Sequence, residues 1–199
     1  MSPRSVVMIG ATERPGSVGA AVTRNVLAGG FQGQIHLVNR KGGTIAGRTA
    51  FRRVSDLPEP ADLAVIMTPA ATIPGLIVAL GEAGTRVAVV ISAGPGNGPD
   101  AASVNALWRQ RLLRAAQPYL LRIVGPNCIG YAAPGLGLNA SFGPTRFKAG
   151  RIAAVAQSGA VLAGLADWGV AQGIGFSHLI SMGDMADVDF GDVLDMLAR

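Results

Sequence analysis

The sequence predicts an α/β fold built on a doubly wound parallel sheet, with a second α/β unit beginning near residue 150. Three observations carry this. Short uninterrupted apolar runs, the mark of strands buried on both faces, alternate with helical stretches of roughly 10 to 18 residues. A glycine-rich turn, Gly10 to Gly19, joins the first such run to an alanine-rich helix. Aromatic residues make up only 5% of a chain that is 49% hydrophobic, a mixture that suits close-packed α/β layers better than a β-sandwich.

In chain order, Val6 to Ile9 reads as the first strand and Ser17 to Leu27 as a helix stopped by Gly29-Gly30. Ile35 to Val38 is the second strand, running into Asn39-Arg40-Lys41-Gly42-Gly43. Thr49 to Pro60 reads as an excursion, with Ser55-Asp56-Leu57-Pro58 a turn or short helix. Leu63 to Met67 is the third strand, closed by Thr68-Pro69. It is followed by a helix from Thr72 to Ala83 with Pro74 in its first turn. Val87 to Ile91 is the fourth strand, Asp100 to Gln117 a helix, and Leu120 to Val124 the fifth strand. Gly125 to Gly150 is rich in Gly, Pro and Asn and lacks periodicity, so it reads as a connection. Alternation resumes with a strand at Ile152 to Val155, a helix from Ala160 to Gln172, a strand at Phe176 to Ser181 and a helix from Asp189 to Leu197. The expected organisation is 1–125, 126–150 as connection, and 151–199. About two strands in the last unit would hardly bury a core, which predicts that the chain is part of a longer protein or needs a partner.

Composition narrows the function. Of 17 basic residues, 15 are Arg, scattered along the chain, and the formal net charge is +5. No basic block carries interleaved aromatics, so a solvated surface is favoured over nucleic-acid binding. No apolar run approaches the roughly 18 residues of a membrane span, and no signal-peptide pattern opens the chain. The lone Cys128 rules out an internal disulfide. A cytoplasmic setting, without nucleic acid or membrane, is expected.

Glycines at a strand-to-helix turn let backbone approach a ligand, and a helix N-terminus offers unpaired N–H groups to an anion. Gly10 and Gly16 are separated by five residues, longer than the dinucleotide fingerprint. No Asp or Glu ends the second strand to hold a ribose diol, which argues against NAD. Arg40 and Lys41 there suit a phosphorylated ribose, as in NADP or coenzyme A. A Gly loop that merely turns the chain is the plain structural alternative.

The ordered set GATERPGSVG, VNRKGGTIAG, MTPAATIP, ISAGPG, GPNCIG, LNASF, AQSGAV and ISMGDMADVDFGDVLDML resembles the CoA-binding part of NDP-forming acyl-CoA synthetases. These are relatives of the succinyl-CoA synthetase α subunit, and the resemblance spans essentially the whole chain. It implies a Rossmann-like CoA-binding domain followed by a flavodoxin-like one. By the same resemblance, Gly10, Ala11, Thr12, Gly16, Ser17 and Val18 surround the CoA phosphates. Val38, Asn39 and Lys41 take the adenosine and its 3′-phosphate, although the family usually has Pro at the position of Arg40. Thr68 and Pro69 pass the adenine, and Ile91, Ser92, Ala93 and Gly94 guide the pantetheine arm. Gly125, Pro126 and Asn127 lie where the thiol emerges. Ser158 and Gly159 are implied phosphate contacts, because the helix they open faces a phosphohistidine in the family, while a simple N-cap explains them equally well. The resemblance implies a reversible reaction of carboxylate, CoA and NTP through an acyl phosphate and a phosphohistidine. That histidine is expected beyond Arg199, and ATP or ADP would bind an ATP-grasp domain or subunit within a homo- or hetero-oligomer.

No residue here is read as catalytic, and the chain alone is expected to bind CoA without turnover. Cys128 lacks a partner base and reads as a packed thiol. His36 and His178 fall inside strands and read as structural. Asp184, Asp187, Asp189 and Asp192 read as solvated and helix-starting charges rather than metal ligands, and Asp184 stands where the family usually has Asn. Two alternatives stay open: the CoA-binding half of a GNAT-fused lysine acetyltransferase, and a non-catalytic Rossmann module sensing NAD(P) or CoA.

Overall fold

The computed structural model describes residues 2–143 and 147–198. Arg199 and residues 144–146 of the expected connection lie outside them.

Strands β1 (Ser5–Ile9), β2 (Gln34–Val38), β5 (Leu63–Ile66), β6 (Val87–Val90) and β7 (Arg122–Val124) are the five expected from the sequence. They lie parallel in a seven-stranded sheet, completed by β3 (Gly43–Ile45) and β4 (Arg48–Phe51), of order β3-β4-β2-β1-β5-β6-β7. The chain steps from β1 to β2 on one side and later returns to β5 on the other. The carboxyl ends of β1 and β5 therefore flank a topological switch point, where α/β sheets open a crevice.

Alternate side chains serve two faces. Val6 and Met8 join Val22 and Val26 of α1 (Val18–Ala28), while Val7 and Ile9 join Ile73 and Ile77 of α2 (Ile73–Glu82) and Leu112 of α3 (Ala101–Ala116). Continuous apolar runs are required because both faces are covered. Trp108 of α3 donates its Nε1–H to the Ala70 carbonyl at 3.0 Å, so the indole is buried without an unpaired donor.

Two segments depart from the sequence reading. A β3–β4 hairpin, unforeseen in the sequence, precedes and enters the expected excursion, and its second strand pairs parallel with β2 (Leu37 with Ala50, Val38 with Phe51). The helical turn that follows it, Val54–Asp56, overlaps the turn or short helix expected at 55–58. Within the expected connection, β8 (Gly130–Ala133) and β9 (Leu138–Ser141) form an antiparallel hairpin. That hairpin completes a second sheet of order β10-β11-β8-β9 with β10 (Ala149–Ala156) and β11 (Phe176–Ser181). The second unit therefore has four strands rather than about two. Leu120 adopts a left-handed conformation (φ 52°) that closes a short turn, which delays β7 to Arg122.

The two sheets share one core. Tyr131, Leu138, Ala140 and Ile180 pack in the same cluster as Met8 and Val22. Buried Asn25 of α1 donates from Nδ2 to the carbonyls of Ser141 (2.8 Å) and Gly143 (3.2 Å). The opposite face of the second sheet is covered by α4 (Gly159–Ala171) through Leu162 and Ala166 against Phe176 and Leu179. The last helix, α5 (Phe190–Leu197), starts with a reciprocal capping box between Asp189 and Asp192. Arg122 donates to Asp187 at 3.0 Å and Asp192 at 2.9 Å, and Asp187 also accepts the Ile123 N–H at 2.8 Å. These carboxylates are thus occupied in fastening the last loop and helix to β7.

Candidate functional site

The turns after β1, β2, β5, β6 and β7 lie side by side at one edge of the first sheet, and hydrogen bonds stitch each to its neighbour. Gly10 and Ala11 donate to the Val38 carbonyl, Met67 to Ile9, Ile91 to Ile66 and Asn127 to Ser92, all at 2.9–3.3 Å. Ser92 Oγ donates to the Thr68 carbonyl at 2.7 Å, fixing the turn after β6 against the turn after β5.

The Gly10–Gly19 loop uses its glycines for separate purposes. Gly10 (φ 92°) lies so near β5 that a Cβ would sit 3.0 Å from the Met67 carbonyl oxygen. A Cβ on Gly19 would meet the Gly10 carbonyl oxygen at 2.6 Å, so its absence lets α1 start directly against the turn. Gly16 (φ 72°) faces open space, leaving backbone accessible from outside. Ser17 caps α1, accepting from Ala20 N at 3.2 Å and donating to the Arg14 carbonyl at 2.8 Å, while Thr12 Oγ1 accepts from Arg14 N at 3.2 Å. Among the described residues, the N–H groups of Gly16, Val18 and Gly19 have no partner. Unpaired donors at a helix start are what an anion requires.

Two adjoining clefts follow this edge. The larger, about 840 Å³, is lined by Thr12, Gly16, Ser17 and Val18 together with Arg24 and Phe142. The smaller, about 480 Å³, brings Val18, Ile91, Ser92, Ala93 and Asn127 opposite Gln157, Ser158 and Gly159 of the second sheet. Met67, Ile129 and Phe142 add apolar walls there. Of the other expected site residues, Ala11 and Val38 are buried in the core, and the Val38 carbonyl is taken by Gly10 and Ala11. Gly10, Asn39, Lys41, Thr68, Pro69 and Gly94 belong to the same turns but line neither cleft. Asn39 spends its side chain internally, donating to Ala11 O at 2.8 Å and accepting from Lys41 N at 2.9 Å.

The second-sheet wall is fixed by a loop exchange. Gln157 Nε2 donates to the Gly183 carbonyl at 3.0 Å, Asp184 N to Pro126 O at 2.8 Å, and Asn127 Nδ2 to Asp184 Oδ1 at 3.2 Å. Ser158 is the N-cap of α4, accepting a long bond from Val161 N at 3.4 Å. Cys128 lines the smaller cleft but is buried and donates to the Val90 carbonyl at 3.3 Å. Burial pushes its thiol up to about 12, so it is a packed group and a poor nucleophile. His36 sits in β2 with its ring edge-on to Phe51 at 6.3 Å, and His178 sits in β11 at 6.1 Å from Tyr131. Neither lines a cleft.

Sequence reasoning missed Met67, Ile129 and Phe142, which look like ordinary core residues in a chain this apolar. It also missed Asn105, whose Oδ1 accepts from Gly96 N at 2.7 Å and folds the loop after β6 back onto α3. An Asn nine residues past a Gly-Pro-Gly loop was the available signal.

Residues 4–134 match the family model described as CoA binding domain, and residues 149–199 match that of the succinyl-CoA ligase like flavodoxin domain. The acetate–CoA ligase (ADP-forming) I subunit alpha of Pyrococcus furiosus is 38% identical over 199 residues, covering 98% of this chain and 42% of that protein. The 4-hydroxybutyrate–CoA ligase (ADP-forming) of Nitrosopumilus maritimus is 34% identical over 201 residues, covering 100% of this chain and 28% of that protein. The dinucleotide-forming acetyl-coenzyme A synthetase 1 of Ca. Korarchaeum cryptofilum, solved with phosphate and ADP, superposes with a TM-score of 0.92 at 34% identity. That match covers 100% of this chain and 42% of the solved one. The chain thus spans less than half the length of these relatives. Among the described residues, no helix is long and apolar enough to cross a membrane.

Proposed function

The chain belongs to the CoA binding domain family, and from that premise we propose that it is the CoA-binding portion of an ADP-forming acyl-CoA synthetase. The intact protein would interconvert carboxylate, CoA and nucleoside triphosphate with acyl-CoA, nucleoside diphosphate and phosphate. One observation carries the reading: the turns after four neighbouring parallel strands, β1, β5, β6 and β7, and the start of α4 converge on one continuous pair of clefts, with the turn after β2 hydrogen-bonded to the first of them.

Along this edge the unpaired N–H groups at Gly16, Val18 and Gly19 receive the ligand's phosphates. Asn39 and Lys41 hold the phosphorylated adenosine, and Thr68 and Pro69 flank the adenine. Ile91 to Gly94 guide the pantetheine arm toward Asn127, where the thiol faces Ser158 and Gly159. Residues 1–125 would supply most of these contacts, and 151–199 the facing wall. The chain's own residues bind and orient. The phosphoryl chemistry falls to groups outside it, including an ATP-grasp domain or subunit, in a cytoplasmic oligomer. The relatives are ligases, which favours this reading over the acetyltransferase fusion and the NAD(P) sensor.

Calorimetric titration with CoA, NADH and NADPH tests the reading. CoA should bind with clear preference. A preference for either dinucleotide would overturn it.

A further inference from the structure

We propose that Arg52 is a specificity-determining residue that joins Arg40 and Lys41 in holding a phosphate monoester on the ribose of the bound ligand; the inference rests on the coenzyme A reading above. Nothing in the linear sequence brings Arg52 to this place, since it falls in the stretch that reads as an excursion.

The sheet does. β4 runs parallel to β2 with Val38 opposite Phe51, and the Asn39 N–H donates to the Phe51 carbonyl at 2.9 Å. Arg52 therefore leaves the carboxyl end of β4 level with the turn that follows β2. That turn is closed by Gly42 N donating to Asn39 O at 2.7 Å and by Lys41 N donating to Asn39 Oδ1 at 2.9 Å. Arg40 and Lys41 occupy its two central positions, both exposed. The Arg52 side chain is laid across the same turn. A Cβ on Gly42 would come within 2.9 Å of Arg52 Cγ and 3.1 Å of its Nε, and Gly42 has φ 65°. Glycine at 42 thus serves both the turn and the passage of the arginine.

Three cations gather at one turn, and among the described residues none of them forms an ion pair. A dianion bound at this turn would be attracted by all three. A guanidinium offers a planar fork of donors to two phosphate oxygens, which a lysine alone does not. The turn is also coupled to the phosphate-binding loop, because Asn39 Nδ2 donates to Ala11 O at 2.8 Å. A ligand whose phosphates occupy that loop would then present its ribose toward the basic turn. Arg48, on the same hairpin, lies at the other end of β4, opposite Ile45.

The test is a titration of the chain and its Arg52→Gln, Arg52→Lys and Arg48→Gln variants with CoA and with dephospho-CoA, which lacks only the ribose phosphate. Loss of one charge-assisted contact should weaken CoA binding about tenfold in Arg52→Gln, with dephospho-CoA changed less than about twofold. Arg52→Lys should keep part of the preference, and Arg48→Gln, with the same change in net charge, all of it. Unchanged preference in Arg52→Gln, or equal weakening of both ligands, overturns the inference alone. A wild-type chain that binds neither ligand overturns the coenzyme A reading and this inference with it.

Discussion

The side-chain amide of Asn39 donates to the Ala11 carbonyl at 2.8 Å, tying the basic turn after the second strand to the glycine-rich loop after the first. Its oxygen accepts from Lys41 N and its backbone N–H donates to Phe51 O, so one residue aligns three segments of the proposed ligand edge. Asn39→Ala should remove both side-chain bonds and cost about 1–2 kcal/mol of stability. CoA affinity should fall by about tenfold as the loop and turn lose their register. Urea unfolding and calorimetry check the two effects separately.

A Cβ on Gly16 would meet nothing within 4 Å, yet φ is 72°, so a side chain there strains the backbone while projecting into the proposed phosphate site. Gly16→Val should cost about 1–2 kcal/mol through the left-handed conformation. It should also abolish measurable CoA binding in chain that is still folded by circular dichroism. Unchanged affinity in the folded variant would remove this loop from the phosphate site.

Much of this geometry was legible in the sequence, and the physical reason is burial. Val6 to Ile9 and Leu63 to Ile66 are covered on both faces, so they appear as unbroken apolar runs, and the turns at their carboxyl ends mark the proposed ligand edge. The β3–β4 hairpin was hidden because Gly43–Ile45 and Arg48–Phe51 are short and mostly exposed, with no long apolar run. The β8–β9 hairpin was hidden for another reason. Its strands are fully buried but only four residues each, with Tyr131 and Leu138 set among small or polar residues, and they are split by Pro134, Gly135 and Gly137. The bond from Asn25 to Ser141 spans 116 positions and carries no local signal at all.

Burial pushes Cys128 up to about 12 from an ordinary 9.0, and pushes the Tyr131 phenol up as well. Both groups are raised in the fold, so their contribution to stability is complete below the unfolded values and is lost as pH rises through the folded ones. Stability should therefore decline between about pH 9 and pH 12, with a shallower slope in Cys128→Ala. At pH 8 a thiol reagent should label native protein at least about a hundredfold more slowly than protein in denaturant, since access requires opening.

Ser158 accepts only a long bond from Val161 N, at 3.4 Å, while facing the smaller cleft. Ser158→Ala should cost about 0.5–1 kcal/mol as a lost cap. It should leave the CoA affinity of this chain within about twofold, because the proposed phosphate site is the start of α1. A large loss of CoA affinity would place the ligand against α4 instead.

The central claim is that coenzyme A lies across the carboxyl ends of the first sheet, from the basic turn to Asn127. Amide chemical-shift mapping of the labelled chain during a CoA titration tests it most directly. The account predicts the largest shifts at 10–19, 39–42, 92–94 and 127, with little change on the outer face of α4. Saturable shifts confined to other surfaces, or none at millimolar CoA, would contradict it.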